Sequence, residues 1–110
     1  MERTRRVFKL KSDLFKALSN PLRLAIIETL KGGERSVGEI VRASGSEQSS
    51  VSKNLSVLRH AGILGSRQEG ATVYYGVRDQ DIFKILRVVS DILAARHKES
   101  AGILADLGKR

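Results

Sequence analysis

Residues 46–77 read SEQSSVSKNLSVLRHAGILGSRQEGATVYYGV, and the fold turns on how this stretch divides. Val51, Leu55 and Leu58 fall at i, i+4 and i+7, so they share one side of a helix and predict a buried stripe. Ser46 is a helix start and Gly62 a stop, which predicts a helix over residues 46–61. Two short strands follow, residues 63–68 and 71–77, with Glu69-Gly70 as the hairpin turn between them. Thr72, Val73, Tyr74, Tyr75 and Val77 are residue types that suit a pleated surface. Strand side chains alternate, so Tyr74 and Tyr75 face opposite sides, and one is expected in the core.

Upstream, Asn20-Pro21 opens a helix, with Asn as N-cap and Pro at the first helical position. Leu22, Ala25, Ile26 and Leu30 form its apolar face, and Gly32-Gly33 stops it. Ser36-Val37-Gly38-Glu39 is a capping box for a short helix that ends at Ser44-Gly45. Residues 1–11 hold Arg3, Arg5, Arg6, Lys9 and Lys11 against Glu2, and read as a basic arm entering a helix of about residues 8–18. Downstream, Asp79 is the expected cap of a helix over residues 80–97. Ile82, Ile85, Leu86, Val89, Ile92 and Leu93 make its apolar stripe, and Ile103, Leu104 and Leu107 are packing residues of a tail. The fold class is mainly α with a small β-hairpin wing, ordered α-α-α-α-β-β-α in one domain over residues 1–110. A hairpin placed directly after two helices joined by a tight turn defines a winged helix-turn-helix.

Composition narrows the functional classes. The chain has 110 residues, enough for one domain with a modest core, and 41% are hydrophobic. Twenty Lys and Arg against twelve Asp and Glu give a formal net charge of +8, a surplus that suits a polyanionic partner. No Cys is present, which excludes disulfides, thiolate metal ligands and thiol chemistry within the chain. No apolar run reaches the ~20 residues that span a bilayer, and the N-terminal residues do not resemble a secretory signal. The expected location is the cytoplasm, with no membrane partner.

The helix over residues 46–61 carries the candidate reading face. With Val51, Leu55 and Leu58 inward, the opposite side presents Gln48, Ser49, Ser52, Lys53, Ser56 and His60. Gln can pair bidentately with adenine, Lys reaches guanine or phosphate, and Ser approaches either closely. Helices that enter the major groove read mostly from their N-terminal part, which ranks Gln48, Ser49, Ser52 and Lys53 first. On the wing, Arg67, Gln68 and Thr72 flank the Gly70 turn, and Arg67 is the expected groove or phosphate contact. The expected partner is double-stranded DNA.

These stretches resemble the ArsR/SmtB family of regulators over about residues 11–95. Residues 15–24, FKALSNPLRL, resemble that family's F-K-A-L-[SA]-[ND]-P-x-R-L pattern. Residues 49–58, SSVSKNLSVL, resemble its S-x-V-S-x-H-L-x-x-L reading helix. Ala61-Gly62-Ile63-Leu64 with Arg67, Gly70 and Tyr74-Tyr75 resembles its wing. The resemblance implies a homodimeric repressor whose first and last helices meet a second copy. The implied interface residues are Leu14, Leu18, Ile82, Ile85, Leu86, Val89, Ile92 and Leu93, and a twofold dimer implies a palindromic operator. Many members of the family sense metal ions, and here the chain departs from the pattern. The thiolate positions fall on Ser36 and Gly38, and a second set falls on Asp79, Asp81, Ile92 and Ala95. His97 and Glu99 lie outside that register. No metal site and no cofactor are expected, and the release signal stays open between a small-molecule inducer, a partner protein and none.

An enzyme is not expected. Gly32-Gly33 ends a helix and lacks the Lys-Ser/Thr of a phosphate loop, and the two His support no nucleophile triad. The competing readings are a winged-helix protein-interaction module and a nonspecific architectural DNA-binding module.

Overall fold

The computed structural model describes the backbone of residues 1–108 and the side chains of residues 1–99. The side chains of Ile103, Leu104 and Leu107 therefore lie outside the described residues. The elements are α1 (Glu2–Leu18), α2 (Pro21–Thr29), β1 (Arg35–Ser36), α3 (Val37–Ser44), α4 (Gln48–His60), β2 (Leu64–Glu69), β3 (Thr72–Val77) and α5 (Asp81–Gly108). Met1–Asp79 make one compact unit, and the residues from Gln80 on make a second, built on α5 alone.

In the first unit, α2 packs on α3 and α4, α3 packs on α4, and α1 packs on α2 and α4. Ile26, Ile27, Ile40, Val51, Leu55, Leu58 and Leu64 are fully buried among them. Each such side chain contributes roughly 1.5–3 kcal/mol relative to exposure. The stripe of α4 is buried as its spacing requires. The α2 face is rotated from the expected one. Ile27 is buried and Ala25 exposed, because α2 is covered on the side that Ile26, Ile27 and Leu30 share.

The caps explain most boundaries. Asn20 Oδ1 accepts from the Arg23 amide at 3.1 Å, and Pro21 follows at the first helical position. Ser36 Oγ accepts from the Glu39 amide, and a Glu39 carboxylate oxygen accepts from the Ser36 amide, at 3.2 and 3.0 Å. The hydrogen bond from the Ser36 amide first, and then one from the Ser36 side chain to the carboxylate, hold the Glu39 carboxyl below its ordinary value. Gly62, at φ +79, lets the chain leave α4 in a left-handed turn that a side chain would strain.

Several boundaries differ from expectation. The basic residues 1–11 are not an arm: α1 starts at Glu2, since Arg, Lys and Glu are good helix formers and Lys9 pairs with Asp13 at 3.2 Å one turn on. Ser46 does not start α4. Its amide donates to Ser44 Oγ at 3.4 Å within the turn, and Glu47 is the N-cap. The last helix begins at Asp81 and runs to Gly108, well past residue 97. The hairpin turn is Gly70-Ala71, closed by the Glu69–Thr72 pair, with Gly70 at φ +63. The wing also gains a strand. Arg35 and Ser36 pair with Tyr75 and Tyr74, giving an antiparallel sheet ordered β1-β3-β2.

Two apolar stripes are left uncovered. On α1, Phe8 is 63% exposed and Phe15 58% exposed, and their spacing of seven residues sets them along one side of the helix. On α5, Val88, Val89, Ile92 and Leu93 are exposed along one side. Leu18 and Ile82 differ from the interface expectation: each is largely buried, at 5% and 7% exposure. Leu14, Ile85 and Leu86 are half-buried.

Candidate nucleic-acid interface

Helix α4 presents Gln48, Ser49, Ser52, Lys53, Ser56 and His60 to solvent, all exposed. At 3.6 residues per turn they span an arc of roughly 140° on one side of the helix. His60 Nδ1 lies 2.8 Å from the Ser56 carbonyl oxygen. A carbonyl can only accept, so Nδ1 carries the proton and Nε2 is left to face solvent.

Ser36, Val37, Gly38, Arg42, Gln48, Ser52, Ala71, Thr72 and Val73 line one open groove of about 470 Å³. It brings the start of α3, the N-terminal half of α4 and the wing turn together. Of the sequence candidates it joins Gln48, Ser52 and Thr72. Ser49, Lys53, Ser56 and His60 lie on the same helix outside it, and Arg67 and Gln68 lie on β2. Arg42 was not a sequence candidate. It is exposed on α3 and brings a cation to this groove, a position that only the α3–wing juxtaposition reveals.

Arg67 is engaged within the protein. Its Nε–H donates to Glu34 at 3.1 Å and its Nη1–H to Glu69 at 2.6 Å. The guanidinium also lies 4.8 Å from the centre of the Tyr74 ring, its cross-strand neighbour. The hydrogen bond to Glu69, then that to Glu34, raises its pKa further, so it is always charged but locally neutralised. Gln68 Nε2 donates to the Gly70 carbonyl at 3.3 Å, and Thr72 is exposed beside the turn.

The positions that resemble thiolate sites are otherwise employed. Ser36 Oγ caps α3, and Gly38 carries no side chain that could ligate a metal. Among the described residues no three His, Asp or Glu side chains come together to hold a metal ion. Also among them, no helix is long and apolar enough to cross a membrane.

Helix, turn, helix and sheet in this order make the chain a winged helix-turn-helix protein. A helix-turn-helix domain model matches residues 18–67. The uncharacterized HTH-type transcriptional regulator Rv0081 of Mycobacterium tuberculosis is 37% identical over 102 residues, 92% of this chain and 90% of its own length. Its crystal structure matches with a TM-score of 0.77 at 36% identity, over 86% of this chain and 96% of that one. The biofilm growth-associated repressor of Xylella fastidiosa is 33% identical over 81% of this chain and 78% of its own. A solution structure from Mycobacterium bovis matches at 31% identity with a TM-score of 0.76, over 90% and 91% of the two chains. It is described as a homodimeric winged helix-turn-helix DNA-binding domain of a possible ArsR-family transcriptional regulator. The chain belongs to these helix-turn-helix transcriptional regulators, and the ArsR-type resemblance of its motifs agrees with that membership.

Proposed function

We propose that this protein is a homodimeric, sequence-specific DNA-binding repressor that reads a palindromic operator with α4. The observation that carries the reading is the solvent-facing polar arc of α4 opening into the groove shared with α3 and the wing turn. Gln48, Ser49 and Ser52 are the base-edge readers, and a bidentate Gln–adenine pair supplies ~1–3 kcal/mol of discrimination. Lys53, Ser56 and His60 extend the contact along the duplex. Arg42 and Thr72 grip phosphates at the groove, and Gln68 contacts the flank of the wing. The net charge of +8 supplies the sequence-independent attraction.

A second copy covers the open stripes. The interface on α1 is Phe8, Leu14 and Phe15 in place of Leu18, and on α5 it is Ile85, Leu86, Val88, Val89, Ile92 and Leu93. The protein acts in the cytoplasm as a regulator and not as an enzyme. The release signal is a small organic molecule, a partner protein or none at all, and the chain has no thiolate to offer a metal.

The test is fluorescence anisotropy with a duplex from upstream of the protein's own coding region and a scrambled duplex, across a salt series. Selective binding of two protomers per duplex is expected. Equal, weak binding abolished by modest salt refutes operator reading in favour of an architectural role. No binding to either duplex points to a protein partner.

A further inference from the structure

Arg23 lies on α2, and every nitrogen of its guanidinium is engaged. Nε–H donates to the Ala17 carbonyl at 2.6 Å, and Nη2–H to the Lys16 carbonyl at 3.2 Å. Nη1–H donates to Asn54 Oδ1 at 3.1 Å. Asn54 is itself fixed, because its Nδ2–H donates to the Ser50 carbonyl at 2.9 Å within α4. The Arg23 backbone is held as well, through its amide bond to the Asn20 cap.

The sequence explains why the fork reaches Ala17. Residue 21 would donate to that carbonyl in a continuing helix, but Pro21 has no N–H. Arg23 fills the vacancy with a charged donor at the C-terminal end of α1, where positive charge is favoured. The same planar group then spans to the middle of α4.

Asn54 lies roughly 170° around α4 from the middle of the polar arc, at 100° per residue. A duplex lying on that arc is out of its reach, and out of Arg23's reach. We infer that Arg23 and Asn54 form a positioning pair: the Arg23 fork on the end of α1 sets the rotation of α4 about its axis, and so tunes operator affinity without touching DNA. The inference rests on the DNA-binding reading above. It joins the helix bearing Phe8 and Phe15 to the helix bearing the reading face, by side chains 31 residues apart in sequence.

The test compares wild type, Asn54→Ala, Arg23→Lys and the double variant on the duplex from upstream of the protein's own coding region and on its scrambled form. Asn54→Ala removes the link, keeps a good helix former and leaves both carbonyl bonds of Arg23 in place. Arg23→Lys keeps the charge and loses the fork. Each single variant is expected to weaken operator binding about tenfold at a temperature far below its thermal midpoint. The salt slope should stay at the wild-type value, because no phosphate contact is lost. The double variant should bind no more weakly than the weaker single variant, since both remove one shared contact.

A purely fold-supporting role would lower the thermal midpoint and leave the affinity of the folded protein unchanged. That outcome, or losses that multiply in the double variant, overturns the inference. Asn54→Ala decides the first point alone if Arg23→Lys does not fold. A wild-type protein with no preference for its own duplex refutes the DNA reading and takes the positioning role with it. Full wild-type preference retained in Asn54→Ala refutes the positioning role alone.

Discussion

Phe15→Ala tests the proposed dimer where the structure is most explicit. Phe15 is 58% exposed on α1. A Phe side chain offers ~200 Å², so about 120 Å² of it is open to cover by a second copy. At ~25 cal/mol per Å² that area is worth about 3 kcal/mol, and a twofold interface contains it twice. Association never returns the full area value, because ordering and imperfect desolvation oppose it. Half of the resulting ~6 kcal/mol is a reasonable net figure, and ~3 kcal/mol raises the dimer dissociation constant more than a hundredfold. Sedimentation equilibrium over a protomer dilution series reads this directly. Circular dichroism and thermal unfolding check that the protomer stays folded, as expected for a side chain that is more exposed than buried. A Phe15→Ala protein that dimerises as tightly as wild type removes α1 from the interface and leaves α5 alone to build it.

Four further outcomes follow from the same geometry. Lys53→Ala should weaken duplex binding and reduce the salt slope by about one unit, and an unchanged slope excludes a phosphate contact. Arg67→Gln should leave the salt slope at its wild-type value, since Glu34 and Glu69 already neutralise that guanidinium; a drop of one unit would show that Arg67 exchanges its carboxylates for a phosphate. Leu58→Ala should cost ~2–5 kcal/mol in urea unfolding, because the side chain is fully buried where α4 meets its neighbours, and a cost below ~1 kcal/mol would contradict that packing. Glu39 has a lowered folded pKa, so its ionised cap stabilises α3 fully above the ordinary carboxylate range and loses that effect as pH falls through the lowered value. Glu39→Gln should therefore flatten part of the acid limb of a thermal-midpoint profile, and superimposable limbs would speak against the cap.

The helices were legible because their signals are local. Asn20-Pro21, the Ser36–Glu39 box and the 51, 55, 58 stripe each act within one or two turns, and the structure contains all three. The errors cluster where a competing local signal or a distant neighbour decides. Ser46 looked like a cap, but Glu47, one residue on, holds the extended N-cap position of α4. A run of Arg and Lys at residues 1–11 read as an arm, because charge density hides the good helix propensity of the same residues. A two-residue strand such as Arg35–Ser36 has no periodicity at all, and exists only because β3 offers it a free edge.

The candidate site divides in the same way. An exposed face on α4 follows from where its buried stripe lies, so Gln48, Ser52 and Lys53 could be named from spacing alone. Partners across the fold could not. Glu34 stands 33 residues before Arg67, and no pattern in the chain announces that the two will meet. Counting Arg67 as a free cation therefore overstated the charge at the wing. Two carboxylates and a tyrosine ring hold it against β3, which stiffens the hairpin at the cost of its electrostatic reach. Among the described residues, the exposed cations near the reading face are Arg42 on α3 and Lys53 and Arg59 on α4, the two helices of the helix-turn-helix. On the proposed DNA-binding reading, the helices supply the attraction and the wing turn lines the groove beside them. Loss of the Glu34 carboxylate should then loosen the wing and leave Arg67 paired to Glu69 alone, with one negative charge fewer at the hairpin, so Glu34→Gln should bind scrambled and operator duplexes more equally than wild type does.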